Sequence, residues 1–258
     1  MDVVLAFEPF AQTEAPRVRE RPILDTLHPA DAATIRAAAR RVWLPAGDAI
    51  TRIGAPLDHV WFPEDAVVSV AERLTEGRHA DLALIGAEGV VGWQALLGDT
   101  VVAWRCVVEL GGGHALVLPA AMLRAMADER PGLRRALLAY VSVFSGQVAR
   151  TLSSTLHCPP DVRLARWLLL MHDRMEGDVL AITHQRLADL LGVRRATITD
   201  WLHLLEGERL VRCTRGRVAI RDRDGLIRLT GTAYGGVGGT LAAARRTAPA
   251  AIHSVPPG

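Results

Sequence analysis

The sequence predicts an α+β protein: a small antiparallel β-roll, one long helix, and a helical C-terminal unit that ends in a hairpin. Three observations predict it. Short apolar or alternating runs recur between Val42 and Val117, separated by turn clusters, which is the texture of many short strands. A pattern approaching a heptad then runs from about Pro131 to His157 and reads as a single helix. Two short helical patterns joined through Gly192 are followed by an arginine-tipped hairpin from Leu210 to Ile220.

The elements follow in order. Residues 1–20 read as a flexible arm, and His28-Pro29-Ala30-Asp31 opens an alanine-rich helix to about Arg41. The roll, within 21–128, has runs at His59–Phe62, Val67–Val70, Asp81–Ile85, Val101–Val108 and Ala115–Leu118. Between them lie turns such as Pro45-Ala46-Gly47-Asp48 and Gly111-Gly112-Gly113. A brief helix runs from Pro119 to Met126. The long helix, assigned to 129–157, places Leu133, Leu137, Tyr140, Val141, Phe144, Val148 and Leu152 on a wide apolar face. A long solitary helix of this kind needs a partner, and a second copy of itself would serve, so these residues are the expected homodimer seam.

Pro159-Pro160 breaks the helix. Asp161 is placed to cap the next one, whose apolar face is Val162, Leu164, Ala165, Leu168, Leu169 and Met171. The C-terminal unit spans 158–229. Residues 230–258 are rich in glycine, alanine and proline and read as a disordered tail.

Composition bounds the chemistry. The chain has 258 residues, 50% hydrophobic and 22% charged, with a formal charge of +2. No secretory or transit segment opens it, and no run reaches the ~18 apolar residues of a membrane span, so a cytoplasmic protein without membrane contact is expected. Cys106, Cys158 and Cys213 are too scattered for a disulfide framework or a CxxC site. Every basic residue is arginine, which excludes Schiff-base lysines and phosphate-loop lysines. No serine has a nucleophile context such as GxSxG, so no enzyme is expected. Trp43, Trp61, Trp93, Trp104 and Trp167 read as core.

The informative stretch is Ile182–Arg221. Thr183 suits an N-cap, Leu187, Ala188, Leu190 and Leu191 give the first helix an inward face, and Gly192 permits the positive φ of a tight turn. Ile198, Trp201, Leu202 and Leu205 give the second helix its buried stripe. Arg194, Arg195, Ala196, Thr197 and Asp200 then lie at its N-terminal half, the part that would enter a major groove, where arginine forks to guanine edges. Eight arginines (186, 194, 195, 209, 212, 215, 217, 221) face four acids (Asp189, Asp200, Glu206, Glu208) over this stretch, a local excess of four positive charges suited to phosphates. Arg215 and Arg217 would tip a wing astride the DNA backbone.

Here the chain resembles the Crp/Fnr family of bacterial regulators over nearly its whole length, in the order roll, long helix, hinge, winged helix. The segments THQRLADLLGVRRATIT and LVRCTRGRVAIRDRDGL carry the resemblance. It implies a cyclic-nucleotide-binding-like, cupin-like sensor roll, and a homodimer on a palindromic double-stranded DNA site, with RNA polymerase as a further partner. It places Arg195, Ala196 and Asp200 at base-reading positions and His184, Gln185, Arg194 and Thr197 at phosphates. Many members have an acid at the position of Ala196 and a base at that of Asp200, so the familiar family operators are not implied.

The cyclic-nucleotide cassette of such proteins needs glutamate after glycine and a following arginine. Here Trp93 follows Gly92, and Val101-Val102-Ala103 stands in place of the arginine segment. A buried phosphate would lack its counter-charge. The N-terminus has no cysteines for an iron-sulfur centre. His59, His79 and His114 stand alone rather than in paired metal motifs. No cofactor is expected, and the effector is unassigned.

Overall fold

The computed structural model describes residues 21–73 and 79–235; the arm at 1–20 and the tail from 236 lie outside the described residues. The chain enters through α1 (Ile23–Thr26) and α2 (Pro29–Ala38). The His28 ring accepts the Ala30 amide, and Pro29 has no donor to leave unsatisfied at the helix start. α2 stops short of the expected Arg41 because Arg40 is already paired in the first strand.

Seven strands form the roll: β1 (Arg40–Leu44), β2 (Ala49–Thr51), β3 (His59–Pro63), β4 (Val67–Arg73), β5 (His79–Ile85), β6 (Arg105–Glu109) and β7 (Gly113–Pro119). They make two antiparallel sheets, ordered β1-β7-β3 and β2-β6-β4-β5. β1 and β2 join the five runs read from sequence. The Val101–Val108 run becomes strand only from Arg105, Val101 making a single bridge to Pro56. Val60, Phe62, Val70, Ile85 and Leu118 fill the space between the sheets. Trp93, Trp104 and Phe144 pack there as tilted rings, with centroids 5.5–5.7 Å apart. Trp43 departs from the expected core position: it is 56% exposed and lies edge-on to His114.

α3 (Ala120–Glu129) leads into α4 (Pro131–His157), matching the predicted long helix. Its apolar stripe has a different partner from the one expected. Leu133, Leu137, Tyr140 and Phe144 are buried in the roll's own core, and Val141 and Val148 pack against it. Gln147 fixes the docking, accepting the Leu84 amide at 3.2 Å and donating to its carbonyl at 3.0 Å. Of the seven expected seam residues only Leu152 faces outward, 60% exposed, with Leu156 below it. A sheet face that must be covered takes the inner side of the helix first.

After the Pro159-Pro160 break comes α5 (Pro160–His172). Its N-cap is Pro159, with no side-chain bond, so Asp161 sits in the first turn rather than capping. There its charge opposes the positive end of the helix dipole. The remaining elements are β8 (Val179–Leu180), α6 (His184–Leu191), α7 (Arg195–Gly207), β9 (Val211–Thr214), β10 (Arg217–Ile220) and α8 (Arg223–Thr230), with the sheet ordered β8-β10-β9. β8 and α8 had no sequence signal. Folded structure continues past Leu229, where a tail was expected. A 3-10 turn at Gly231–Ala233 brings Tyr234 into the core, its hydroxyl 2.6 Å from Asp173 Oδ2 and 2.8 Å from Arg223 Nη2.

The two halves touch extensively. Val67, Leu84 and Val143 from the roll and α4 are buried in the apolar cluster of the C-terminal unit.

Candidate nucleic-acid interface

The helix-turn-helix is built locally as its residues dictate. Thr183 Oγ1 accepts the Arg186 amide at 3.1 Å and caps α6. Gly192 ends the helix at φ 65°, a left-handed conformation natural to glycine. The amide of Val193 returns to Ala188 O, closing the turn. Leu187, Ala188, Leu190 and Leu191 on α6 meet Ile198, Leu202 and Leu205 on α7 and the α5 side chains in one core. Trp201 is half-buried at its edge.

That packing leaves the opposite side of α7 open. Arg195, Ala196 and Asp200 are exposed, Thr197 is half-buried, and Arg194 is the exposed N-cap residue. The first-turn amides of α7 therefore open toward solvent beside two arginines, an arrangement that attracts anions. The β9–β10 hairpin turns at Gly216, φ 72°, with Arg215 and Arg217 exposed on either side. Glu206 accepts the Cys213 amide at 2.6 Å and ties the hairpin to the end of α7.

Three side chains are engaged within the protein. His184 Nδ1 lies 3.0 Å from Thr199 Oγ1, joining α6 to α7. Burial, then the nearby Arg195 and His203, lower its pKa and favour the neutral ring. Gln185 Nε2 donates to Asp189 Oδ1 at 2.8 Å along the helix. Arg186, counted in the basic stretch, is turned away from α7's open side. Its Nε reaches both carboxylate oxygens of Glu109, at 3.1 and 3.0 Å, and its Nη2 reaches Ser69 Oγ at 3.0 Å. The arginine count included it in the basic stretch because sequence shows charge without showing what faces it.

A buried three-helix core, a recognition-type helix with an open N-terminal half and a hairpin beside it define a winged helix-turn-helix. Residues 162–229 match the family model of the Crp-like helix-turn-helix domain, so the C-terminal unit is a DNA-binding domain of that kind. The chain as a whole shares its fold with solved Crp/Fnr-type structures. One is a Crp/Fnr-family protein from Eubacterium rectale, 18% identical, TM-score 0.63, covering 82% of this chain and 98% of that one. A CRP-family transcriptional regulator from Thermus thermophilus is 20% identical, TM-score 0.62, covering 74% and 96%. The c-di-GMP-responsive global regulator of Xanthomonas campestris is 17% identical, TM-score 0.60, covering 75% and 99%. No curated protein sequence matches the chain. Among the described residues no helix is long and apolar enough to cross a membrane.

Proposed function

We propose that the chain is a sequence-specific transcription regulator of the Crp/Fnr type, cytoplasmic and without enzymatic activity, that binds double-stranded DNA as a homodimer on a palindromic site. The observation that carries this reading is the open N-terminal half of α7, with Arg195, Ala196 and Asp200 exposed on a helix whose other side is fixed in the core. In this reading Arg195, Ala196 and Asp200 meet base edges, and Arg194, Thr197, Arg215 and Arg217 meet phosphates. His184 and Gln185 lie at the same end, their polar atoms shared with Thr199 and Asp189. Dimerisation falls to the outer side of α4, where Leu152 and Leu156 are exposed. RNA polymerase is the expected protein partner of such a regulator.

The effector in this reading is not a cyclic nucleotide. Trp93, at the position that would supply the ribose-binding glutamate, is buried against Trp104 and Phe144. Three rings packed at tilted angles favour an apolar, self-filled interior over a phosphate cradle. The reading requires no cofactor.

A selection from random DNA with purified protein, at two salt concentrations, tests the function. An enriched inverted repeat with half-sites ~34 Å apart is expected. Arg195→Ala should relax preference at one base pair per half-site, by about 1–3 kcal/mol. Arg215→Ala should weaken all sequences alike and lower the salt slope by about 1. Enrichment by Arg195→Ala of the same motif at full strength would refute the assignment of α7.

A further inference from the structure

Arg166 lies on the inner side of α5, 1% exposed, with Nε donating to Ala233 O at 2.9 Å. Its two terminal nitrogens are buried and meet no acceptor among the described residues, and the same holds for Nη2 of Arg150 on α4. The charge of Arg150 acts on Arg166. Burial, then Arg150, then Arg174, bring the Arg166 guanidinium down to about 10, and only the Cys158 thiol acts the other way. Burial lowers Arg150 as well. Arg174 has its own acid, since its Nε donates to buried Glu88 at 2.8 Å. The positive charge on Arg150 and Arg166 is thus the part of this cluster without a matching carboxylate among the described residues.

A buried guanidinium with two open forks is strongly unfavourable, and an apolar side chain of similar size would fold better in its place. Retaining it beside Arg150, half-buried and with one buried nitrogen open, makes sense when an anion completes them. We propose that Arg150 and Arg166 form a binding site for a small oxyanion of the phosphate class, held in the joint between α4 and α5. Planar guanidinium forks match phosphate oxygens, and two cations match a dianion. The chain closes in on both: a Cβ on Gly235 would come within 2.9 Å of Arg150 Cδ, and Ala233 O accepts from Arg166 Nε. Such close surroundings suit a compact anion better than a carboxylate side chain reaching in from a second copy. Because the two arginines flank the Pro159-Pro160 break, the bound anion ties α4 to the C-terminal unit. Taken with the regulator reading, it would set the orientation of α7.

Thermal unfolding of the full chain tests the site without relying on DNA binding. Inorganic phosphate is titrated into chloride buffer at constant ionic strength, and a simple phosphomonoester, phenyl phosphate, forms a second arm. The wild-type Tm should rise with phosphate in the saturating manner of a ligand that binds the folded state. Arg166→Met should start from a higher Tm in chloride and lose the response. Arg150→Gln, at the half-exposed end, should weaken the response at least tenfold and provides the test if Arg166→Met fails to fold. A response to phenyl phosphate as well as phosphate would assign the site to phosphorylated metabolites, and a response to phosphate alone to the free ion. The site is overturned by an unchanged wild-type Tm, by equal responses in wild type and variants, or by a Tm that follows protein concentration and ignores phosphate, the mark of a second copy's acid.

Discussion

Tyr234 shows how single residues hold the C-terminal unit. Its hydroxyl donates to Asp173 Oδ2 and accepts from Arg223, which also donates to Asp173 Oδ1 at 2.6 Å. Burial first, then the Asp173 charge, push the phenol well above its ordinary range, so it stays a donor at every working pH. Tyr234→Phe leaves the ring packed and removes one donor from a buried carboxylate. Urea unfolding should show a loss of about 1–3 kcal/mol, and wild-type stability would mean that Arg223 alone satisfies Asp173. This clamp was illegible in the sequence, where Tyr234 falls among glycines that read as tail. Thr183 and Gly192 were legible because capping and positive φ are satisfied within a few residues. The partners of Arg186 were illegible for the opposite reason, its acids lying in strands far away along the chain.

At the scale of elements, α4 shows what periodicity can and cannot tell. The apolar stripe announced a long helix with a buried side, and the helix is present. It could not say what buries it, because a sheet and a second helix ask for the same residues. The roll covers Leu133, Leu137, Tyr140 and Phe144, which leaves Leu152 and Leu156, 60% and 67% exposed, as the large apolar groups on the outer side. They lie four apart on one helix face and neither belongs to a buried cluster. Leu152→Glu with Leu156→Glu should therefore leave the thermal transition of the isolated chain nearly unchanged and turn a dimer into a monomer by sedimentation. Leu137→Glu should instead unfold the roll. A double variant that still sediments as a dimer would place the interface elsewhere.

Across the whole molecule, the orientation of α7, the helix proposed to read DNA, depends on how the roll meets the C-terminal unit. Apolar contacts through Val67, Leu84 and Val143 supply the area of this joint, and Arg186 supplies its register by reaching Glu109, Ser69 and Asp81, the last at 3.3 Å. One guanidinium faces two buried carboxylates, so the joint carries a residual negative charge. Burial raises the Asp81 carboxyl, Arg186 draws it back, and Glu109 raises it again, leaving it at about 6 against an ordinary 3.8. A folded pKa above the unfolded one means that the joint binds a proton more tightly than the unfolded chain does. Its stabilisation is full below about pH 4 and is lost as pH rises to about 6. Asp81→Asn removes that dependence. Denaturant unfolding should show wild-type stability falling relative to Asp81→Asn between pH 4 and 6, with the variant at least as stable at pH 7.5. Arg186→Met should cost about 3–5 kcal/mol at the same pH, because it strands both acids. An Asp81→Asn variant less stable than wild type at pH 7.5 would mean that attraction to Arg186 outweighs burial, and that the joint is strengthened by ionised Asp81 instead of by its proton.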